Sequence, residues 1–348
     1  MKKYIAIILT CLLFGCLEGP KHIKDSLLYS YKDFGDPVNL KGEVLPIEDI
    51  WKPSRIFCQD SFIILTEPTN EYLIHVFDKE QGFKVANNIP NGVGPNERLN
   101  SWSLQVDSES IWSFDMMTGT MTSYPIPDFF IKSGVLPNRA VQLENGVTGV
   151  IYSSNKQFVA NILPDVKSLL TVYDFEGIVD STIRVPYPEV NNLVVPTELA
   201  KRFYENRIYY NEASNKIVLF YVYTDLIEVY DAQLNLLARA HGPDRFIPEL
   251  DMREIDGRKH VHTISNKTKF AYLSGWLTEN EIWTLYYGIS PEPGKELQDR
   301  IFVYDYTGKP LRTYNLEFPI STFCVDEEGV IFGLSEQPEP CVIKFRVE

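Results

Sequence analysis

A short strand-like element recurs six times along this chain, and it limits the possible folds more than any other feature. Each copy has an apolar residue, any residue, a small or apolar residue, an aromatic residue, and then a polar or turn residue, with looser matches in two copies. The copies read IHVFD (74–78), MTSYP (121–125), LTVYD (170–174), IEVYD (227–231), IFVYD (301–305) and VIKFR (342–346). Short β-branched and aromatic runs that end at turn residues are typical of β-strands. The pattern therefore predicts one β-rich unit, repeated six times.

A predicted hairpin precedes every copy, with two apolar runs on either side of a polar turn. The turns lie at residues 59–61, 107–109, 154–156, 211–215, 278–280 and 326–329. A propeller blade of four strands needs about 40–50 residues, and the longer spacings here indicate insertions. The segment 111–115 also fits the strand pattern, and we interpret it as the second strand of its own hairpin. The predicted fold is all-β: a six-bladed β-propeller of four-stranded antiparallel blades.

The last copy ends near residue 348, so the sixth blade lacks an outermost strand. An unpaired sheet edge is a liability that closed folds avoid. We predict that a strand within residues 37–47 fills this place and closes the propeller, which spans residues 37–348. Two segments do not read as strands. The sequence predicts a short helix over residues 196–203, which begins near Pro196. It predicts a long loop or a short helix over residues 241–266.

The N-terminus has the features of a secretory signal peptide over residues 1–15. Lys2 and Lys3 precede an apolar run at 5–14, which is too short to span a bilayer. Residues 13–16 then resemble the bacterial lipobox, which predicts a lipid on Cys16 and a tether over residues 16–36. An ordinary signal peptide with a chance cysteine is the alternative. Two or three acyl chains anchor a protein stably. Leu17 does not resemble an inner-membrane retention signal, so the expected location is the outer membrane, on either face.

Composition and charge narrow the class of protein and its partners. The formal net charge is −14, and 44% of the residues are hydrophobic. Such a chain can build a folded core, and its negative charge repels phosphate backbones, so nucleic acid is not an expected partner. Cys324 and Cys341 could form a disulfide, or both could be buried free thiols. No cysteine or histidine spacing indicates a zinc site.

A few residues are candidates for binding. The stretch 241–245 leaves a strand and is rich in polar and turn residues, so His241, Asp244 and Arg245 could face a ligand at the propeller mouth. The alternative is a structured turn in which Asp244 and Arg245 form a pair. Arg98 follows the turn at 92–97 and is a fourth candidate. That turn contains glycines, but no helix pattern follows it, so it does not predict a phosphate site.

Two histidines on one strand face could in principle hold a metal. His260 and His262 alternate along an extended segment, which would place both imidazole rings on the same side. No third ligand is evident in the sequence. We therefore expect neither a metal nor a cofactor.

Over residues 38–348, the sequence resembles the six-bladed TolB-like propeller lipoproteins of Bacteroidetes. The resemblance rests on the lipobox, the blade pattern, the turn at 92–97 and the stretch 241–246. In the turn, Asn96 stands where the usual G-x-G-P-G-E pattern has glycine. The resemblance implies a propeller and an envelope location, and it supplies no catalytic residues.

Two classes of function remain open. The first is a non-catalytic binding or scaffold module, anchored to the membrane by its lipid, that engages a protein, peptide or glycan of the envelope. The second is a metal-dependent hydrolase or lactonase-like enzyme, with a divalent cation held by carboxylate and amide side chains in the central channel. Several Asp, Glu or Asn side chains converging from different blades would favour the enzyme, whereas apolar or unpaired polar groups would favour binding. The blade pattern places few acids on innermost strands, which favours binding.

Overall fold

In the computed structural model, the strands form six consecutive antiparallel sheets whose innermost strands contact one another around a ring. The predicted six-bladed β-propeller is therefore confirmed. The structure describes residues 21–144, 146–162, 168–290, 298–336 and 339–347. The predicted signal peptide and the predicted lipidation site at Cys16 lie outside these residues. Within them, no helix has the length and apolar character needed to cross a bilayer.

The elements follow one another in blade order. An N-terminal segment contains β1 (Leu27–Leu28), a 3-10 helix (Tyr31–Phe34), β2 (Val38–Leu40) and β3 (Gly42–Val44). Blade 1 contains β4 (Arg55–Gln59), β5 (Phe62–Thr66), β6 (Tyr72–Asp78) and β7 (Lys84–Pro90). Blade 2 contains β8 (Ser103–Val106), β9 (Ser110–Asp115), β10 (Thr120–Pro125) and β11 (Arg139–Gln142), with helix α1 (Ile126–Ile131) between its last two strands.

The second half of the ring carries the larger insertions. Blade 3 contains β12 (Val147–Ser153), β13 (Gln157–Ile162) and β14 (Thr171–Tyr173), and helix α2 (Thr197–Phe203) follows it. Blade 4 contains β15 (Asn206–Asn211), β16 (Lys216–Tyr221), β17 (Leu226–Asp231) and β18 (Leu236–His241). A separate hairpin of β19 (Leu250–Ile255) and β20 (Arg258–Thr263) comes next. Blade 5 contains β21 (Phe270–Leu277), β22 (Glu281–Ile289), β23 (Gln298–Asp305) and β24 (Pro310–Ile320). Blade 6 contains β25 (Thr322–Val325), β26 (Ile331–Ser335) and β27 (Cys341–Phe345).

The recurring element of the sequence forms the third strand of every blade, and the six predicted hairpins form the first two. The aspartate that ends four of the copies organises the next turn. Asp231 Oδ1, for example, accepts backbone N–H groups from Gln233 and Asn235, at 2.9 and 2.8 Å. Asp305 does the same for Thr307 and Lys309. The repeated aspartate therefore stabilises a turn, as its repetition predicts.

Blade 3 departs from the predicted four strands. It has three, and a single bridge between Tyr173 and Val179 occupies the position of the fourth. The chain then runs through Pro186 and Pro188, which have no N–H group to donate to a ladder. The chain therefore forms no continuous fourth strand beside β14 in the described part of this blade.

The prediction for residues 241–266 is wrong, because the segment contains the hairpin of β19 and β20 rather than a loop or helix. The two strands pair in register from Leu250 opposite Thr263 to Ile255 opposite Arg258. Few of their side chains are buried, so no regular apolar alternation marks them in the sequence. The short helix predicted at 196–203 is confirmed as α2.

The N-terminal segment runs along the outer edges of three blades. Strand β3 pairs antiparallel with β27, which supplies the missing strand of blade 6 and confirms the predicted closure. Strand β2 pairs in parallel with β24 of blade 5, and β1 pairs in parallel with β18 of blade 4. Ile23 and Phe34 are almost fully buried. Residues 21–36, which we predicted to be part of a tether, thus pack against the propeller because they carry apolar anchors.

The core lies between blades. Six clusters of buried apolar side chains occur in the described chain, and each joins two neighbouring blades around the ring. The cluster between blades 6 and 1 contains Cys58 and Cys324, which are both free thiols, as is Cys341. The free-thiol alternative for Cys324 and Cys341 therefore holds, although Cys341 is only partly buried. Because the blades pack face to face, the first strands form most of the lining around the ring's axis.

Candidate functional site

The first strands of the six blades line a central channel of about 1100 Å³. Every blade begins with its innermost strand, so the starts of these strands gather at one mouth of the channel and their hairpin turns at the other. All six blades contribute to the wall, through residues that include Arg55, Trp102, Gly149, Arg207, Trp276 and Phe323. A large concave feature of this kind is where a propeller most readily accommodates a ligand.

Two arginines and one tryptophan meet where the first strands begin, and we call Arg55, Trp102 and Arg207 the basic mouth. They come from blades 1, 2 and 4. The Cζ atom of Arg55 lies 4.8 Å from the centroid of the Trp102 ring, and the Cζ atom of Arg207 lies 5.7 Å from it. Both guanidinium groups therefore share one aromatic partner, which attracts cations through its quadrupole.

The positive charge of the basic mouth is not neutralised by any ion pair among the residues that the structure describes. Neither Arg55 nor Arg207 has an ion-pair partner among the residues described, whereas Arg312 pairs with Glu281 at 2.6 Å and Lys79 with Asp326 at 3.0 Å. Burial lowers the pKa of Arg55, and the nearby charge of Arg207 lowers it further, against an opposing effect of Tyr209. Two cations are thus held close together in a partly desolvated place.

Three residues of the wall also carry buried polar atoms without partners. Arg207 Nε, Asn161 Oδ1 and Asn206 Oδ1 are buried and have no hydrogen-bond partner. Asn161 is 8% exposed and Asn206 is 6% exposed. Their Nδ2 atoms donate to the backbone oxygens of Asn206 and Tyr204 at 3.1 and 3.0 Å, which assigns the free atoms as oxygens. These atoms lie inside the wall and have almost no surface open to the channel.

A glycine keeps this part of the wall open. A Cβ atom at Gly149 would lie 3.4 Å from Ile208 Cγ2 and 3.6 Å from Asn161 Nδ2, both ordinary contact distances. The backbone of β12 thus passes directly beside Asn161 with no side chain between them. A Cβ atom at this position would therefore contact Ile208 and Asn161 without a clash.

Aromatic side chains form much of the remaining wall. The rings of Phe57 and Trp276, from blades 1 and 5, have centroids 6.3 Å apart. Tyr209 packs edge-on against Phe220 at 5.1 Å. These rings give the channel apolar surfaces between its polar groups, a combination that is typical of small-molecule and glycan sites.

The opposite mouth is acidic. The hairpin turns carry Asp60, Glu279 and Glu327, which are exposed. Glu212, in the turn of blade 4, accepts the backbone N–H of Ser108 at 2.9 Å and so links two turns across the channel. Within the described ranges, no group of three or more His, Cys, Asp or Glu side chains could hold a metal ion.

His241, a predicted binding residue, lies at the outer edge of blade 4 and does not line the channel. It is fully buried. Its Nε2 atom accepts the backbone N–H of Ile23 at 3.1 Å, so its Nδ1 carries the proton and donates to Asp225 Oδ1 at 2.9 Å. Both ring nitrogens are therefore engaged, and Nε2 holds the N-terminal segment against β18.

Asp244 and Arg245 belong to the same network. Their backbone N–H groups donate to Asp225 Oδ2 at 2.9 and 2.7 Å. The carboxylate of Asp244 accepts hydroxyl groups from Tyr31 and Tyr286 rather than pairing with Arg245. The stretch is thus a structured turn, but its stability comes from Asp225 and two tyrosines.

Arg98 is also away from the channel. Its Nε donates to Thr122 Oγ1 at 3.0 Å, and one Nη donates to the backbone oxygen of Glu97. In the preceding turn, Glu97 accepts the N–H of Gly94 at 2.8 Å. The carboxylate of Glu97 therefore pairs with a backbone N–H group of its own turn.

His260 and His262 lie on β20 with ring centroids 6.3 Å apart, on one face as predicted. They belong to the outlying hairpin and not to the channel.

Sequence reasoning missed the residues of the basic mouth, although a positional signal exists. Arg55 and Arg207 each lie four residues before the first residue of their hairpin turn, and Trp102 lies five before its own. Similar offsets in different blades place side chains at a similar height on the axis. The position of each residue relative to its hairpin turn is therefore the signal that groups these three residues.

Comparisons with known proteins agree with this architecture. The family model described as TolB-like 6-blade propeller-like matches residues 33–328. No curated protein matches the chain. A Bacteroides fragilis protein described as exported has a structure that is 14% identical, covers 93% of this chain and 99% of its own, and superposes with a TM-score of 0.55. A DUF4221 member from Bacteroides vulgatus is 12% identical, with coverages of 90% and 98% and a TM-score of 0.59. At these identities the two structures support the fold alone. The family match over most of its length shows that this chain belongs to the TolB-like six-blade propeller family.

Proposed function

We propose that the chain is a non-catalytic binding module that takes its ligand into the central channel. One observation carries the proposal: Arg55 and Arg207, from different blades, both lie against Trp102 in the wall of the channel, and neither has an ion-pair partner among the described residues. A charge inside a walled cavity attracts a ligand of opposite charge more strongly than a charge at an open surface does. Two guanidinium groups without a carboxylate, beside an aromatic ring, are best explained by a ligand that binds them.

We place this module on the bacterial cell envelope, at the outer membrane. The signal peptide and the lipobox cysteine, Cys16, support export and lipid anchoring. The description of the Bacteroides fragilis relative as exported supports the same compartment. In that location the ligand is an envelope protein, a peptide or a glycan.

The anchor is tested by one substitution. Cys16→Ala is expected to move the protein from the membrane fraction to the soluble fraction, because the acyl chains can no longer be attached. Fractionation followed by immunoblotting measures this, and Cys341→Ala is the matched control that should stay on the membrane. Retention of the Cys16→Ala protein would contradict the anchor.

The channel is tested by filling it. Gly149→Leu is expected to weaken ligand binding at least tenfold, because the new side chain occupies space beside Asn161. Panels of neutral oligosaccharides, acidic oligosaccharides and short peptides serve as ligands, with the fluorescence of the channel tryptophans as the signal. Val194→Leu, at a position that is 90% exposed, is the control. A panel ligand that binds Gly149→Leu as tightly as the unmodified protein would contradict the channel as the binding site.

A further inference from the structure

The side chains of the channel also indicate the class of ligand, in an inference that rests on the proposed function. We propose that the channel binds an acidic saccharide. Its carboxylate pairs with the guanidinium groups of the basic mouth, and its sugar rings pack on the aromatic side chains of the channel wall.

The charge of the basic mouth is the first step. A guanidinium group matches a carboxylate with two parallel hydrogen bonds, and arginine is the usual residue where such recognition is needed. The protein has 47 acidic residues and 33 basic ones, yet supplies no described carboxylate to Arg55 or Arg207. The free charge is held in a walled channel, where electrostatic attraction is stronger than at an open surface. The missing partner is therefore an anion that comes with the ligand.

The aromatic side chains and the size of the channel give the second step, which is the class of molecule that carries the anion. Phe57, Trp276 and Tyr209 present rings on the wall, and the C–H faces of sugar rings pack against aromatic side chains. The volume of about 1100 Å³ slightly exceeds the usual range for small-ligand sites, so several sugar rings can enter. The exposed acids of the hairpin turns, at the other mouth, repel the carboxylate and orient it toward Arg55.

The test uses trigalacturonate and triglucuronate, with their methyl esters as uncharged controls of the same shape. Isothermal titration calorimetry at low salt is expected to show saturable binding of at least one acid, with its ester at least tenfold weaker. Arg55→Met and Arg207→Met should each lower the affinity for the acid at least tenfold. Arg139→Met is the matched control, because Arg139 also stacks on an aromatic ring, at 3.7 Å, but outside the channel. Its affinity should equal that of the unmodified protein.

Each other outcome overturns a separate part of the proposal. Equal affinity for acid and ester would refute the anionic ligand, and tighter binding of a triglutamate peptide would refute the saccharide. If neither acid binds saturably at millimolar concentration, the acidic saccharide is refuted, and the proposed binding function is then judged by the ligand panel and Gly149→Leu alone. If an acid binds Gly149→Leu as tightly as it binds the unmodified protein, both the channel as the binding site and the proposed ligand are refuted. Thermal unfolding of the arginine variants confirms that a lost signal reflects binding.

Discussion

At the scale of single residues, this protein treats its buried charges in two ways. Glu228 is fully buried, and its carboxylate accepts hydrogen bonds from Arg239, Tyr221 and Tyr230 at 2.5–2.9 Å. Both of its oxygens have partners, so the group is part of the scaffold. Arg55 has no such partner in the described structure. The difference separates charges that hold the fold from charges that remain free for a ligand.

Methionine in place of Arg55 or Arg207 is expected to raise the free energy of unfolding by about 0.5–2 kcal/mol, the range of a typical stabilising substitution. The substitution removes a desolvated cation and its repulsion by the other, and keeps an apolar stem to pack on Trp102. Urea denaturation measures the change. Arg239→Met is the contrasting case and should lose about 3–5 kcal/mol, because Glu228 would remain buried without its cation.

A loss of stability in Arg55→Met and Arg207→Met comparable to that of Arg239→Met would contradict this reasoning. It would mean that both arginines stabilise the ring and are not kept without a carboxylate partner in order to bind a ligand.

At the level of strands and hairpins, the N-terminal segment is the part of the fold that joins blades. Three short strands, β1, β2 and β3, add to the outer edges of blades 4, 5 and 6 in turn. Only β3 replaces a strand that its blade lacks, since β1 and β2 extend sheets that already have four strands. His241 holds the start of this segment through the N–H of Ile23. The segment therefore closes the ring at one blade and reinforces it at two others.

Deleting residues 36–48 is expected to abolish cooperative unfolding. The deletion exposes the edge of β27 and opens the ring between blades 6 and 1. Deleting residues 21–35 is the matched control, because it leaves every blade its own strands and removes only the added strand β1 and the anchors Ile23 and Phe34. Thermal unfolding by circular dichroism should show a lower but still cooperative transition for the control. An unchanged curve after deletion of 36–48 would disprove closure by β3.

The hairpin of β19 and β20 shows which elements sequence patterns miss. Its strands have few buried side chains, so the alternation that reveals a half-buried strand is absent. Its turn nevertheless carries a signal, because Asp256 and Gly257 both have positive φ, at 51° and 72°. An Asp-Gly pair with this geometry is favoured in two-residue hairpin turns. Turn chemistry thus marks a hairpin that hydrophobicity does not.

Across the molecule as a whole, stability depends on packing many tyrosines between blades. The chain has 20 tyrosines, and those in the interfaces are largely removed from water. Burial raises the pKa of Tyr124 to about 12, with a small opposing effect of Arg98, and raises that of Tyr306 to about 12. An unfolded chain ionises its tyrosines near pH 10. The buried tyrosines of the folded ring therefore keep their protons at pH values where the tyrosines of the unfolded chain have lost theirs.

Stability is expected to fall as pH rises from about 10 to about 12. In this window the unfolded state has released its phenolic protons and the folded state still keeps them, so ionisation favours unfolding. Below pH 10 the contribution of these groups is fully present. Each of the two tyrosines accounts for a loss of up to about 3 kcal/mol across the window. Denaturation at stepped pH, with absorbance at 295 nm, measures both effects.

Tyr124→Phe should lose less stability over the same pH window, because one of the ionising groups is gone. A variant that follows the curve of the unmodified protein would show that Tyr124 does not contribute.

The number of blades, the third strand of each blade and the strand that closes the ring can all be predicted from the amino-acid sequence. They follow from period and turn chemistry, which are local properties that a repeated unit shows six times. What lies on the axis depends instead on how the ring closes. Arg55, Trp102 and Arg207 are far apart in the chain and meet only because their blades come together around one channel. Tertiary packing also decides the contacts of His241, since its partners, Ile23 and Asp225, come from segments whose proximity no local pattern encodes.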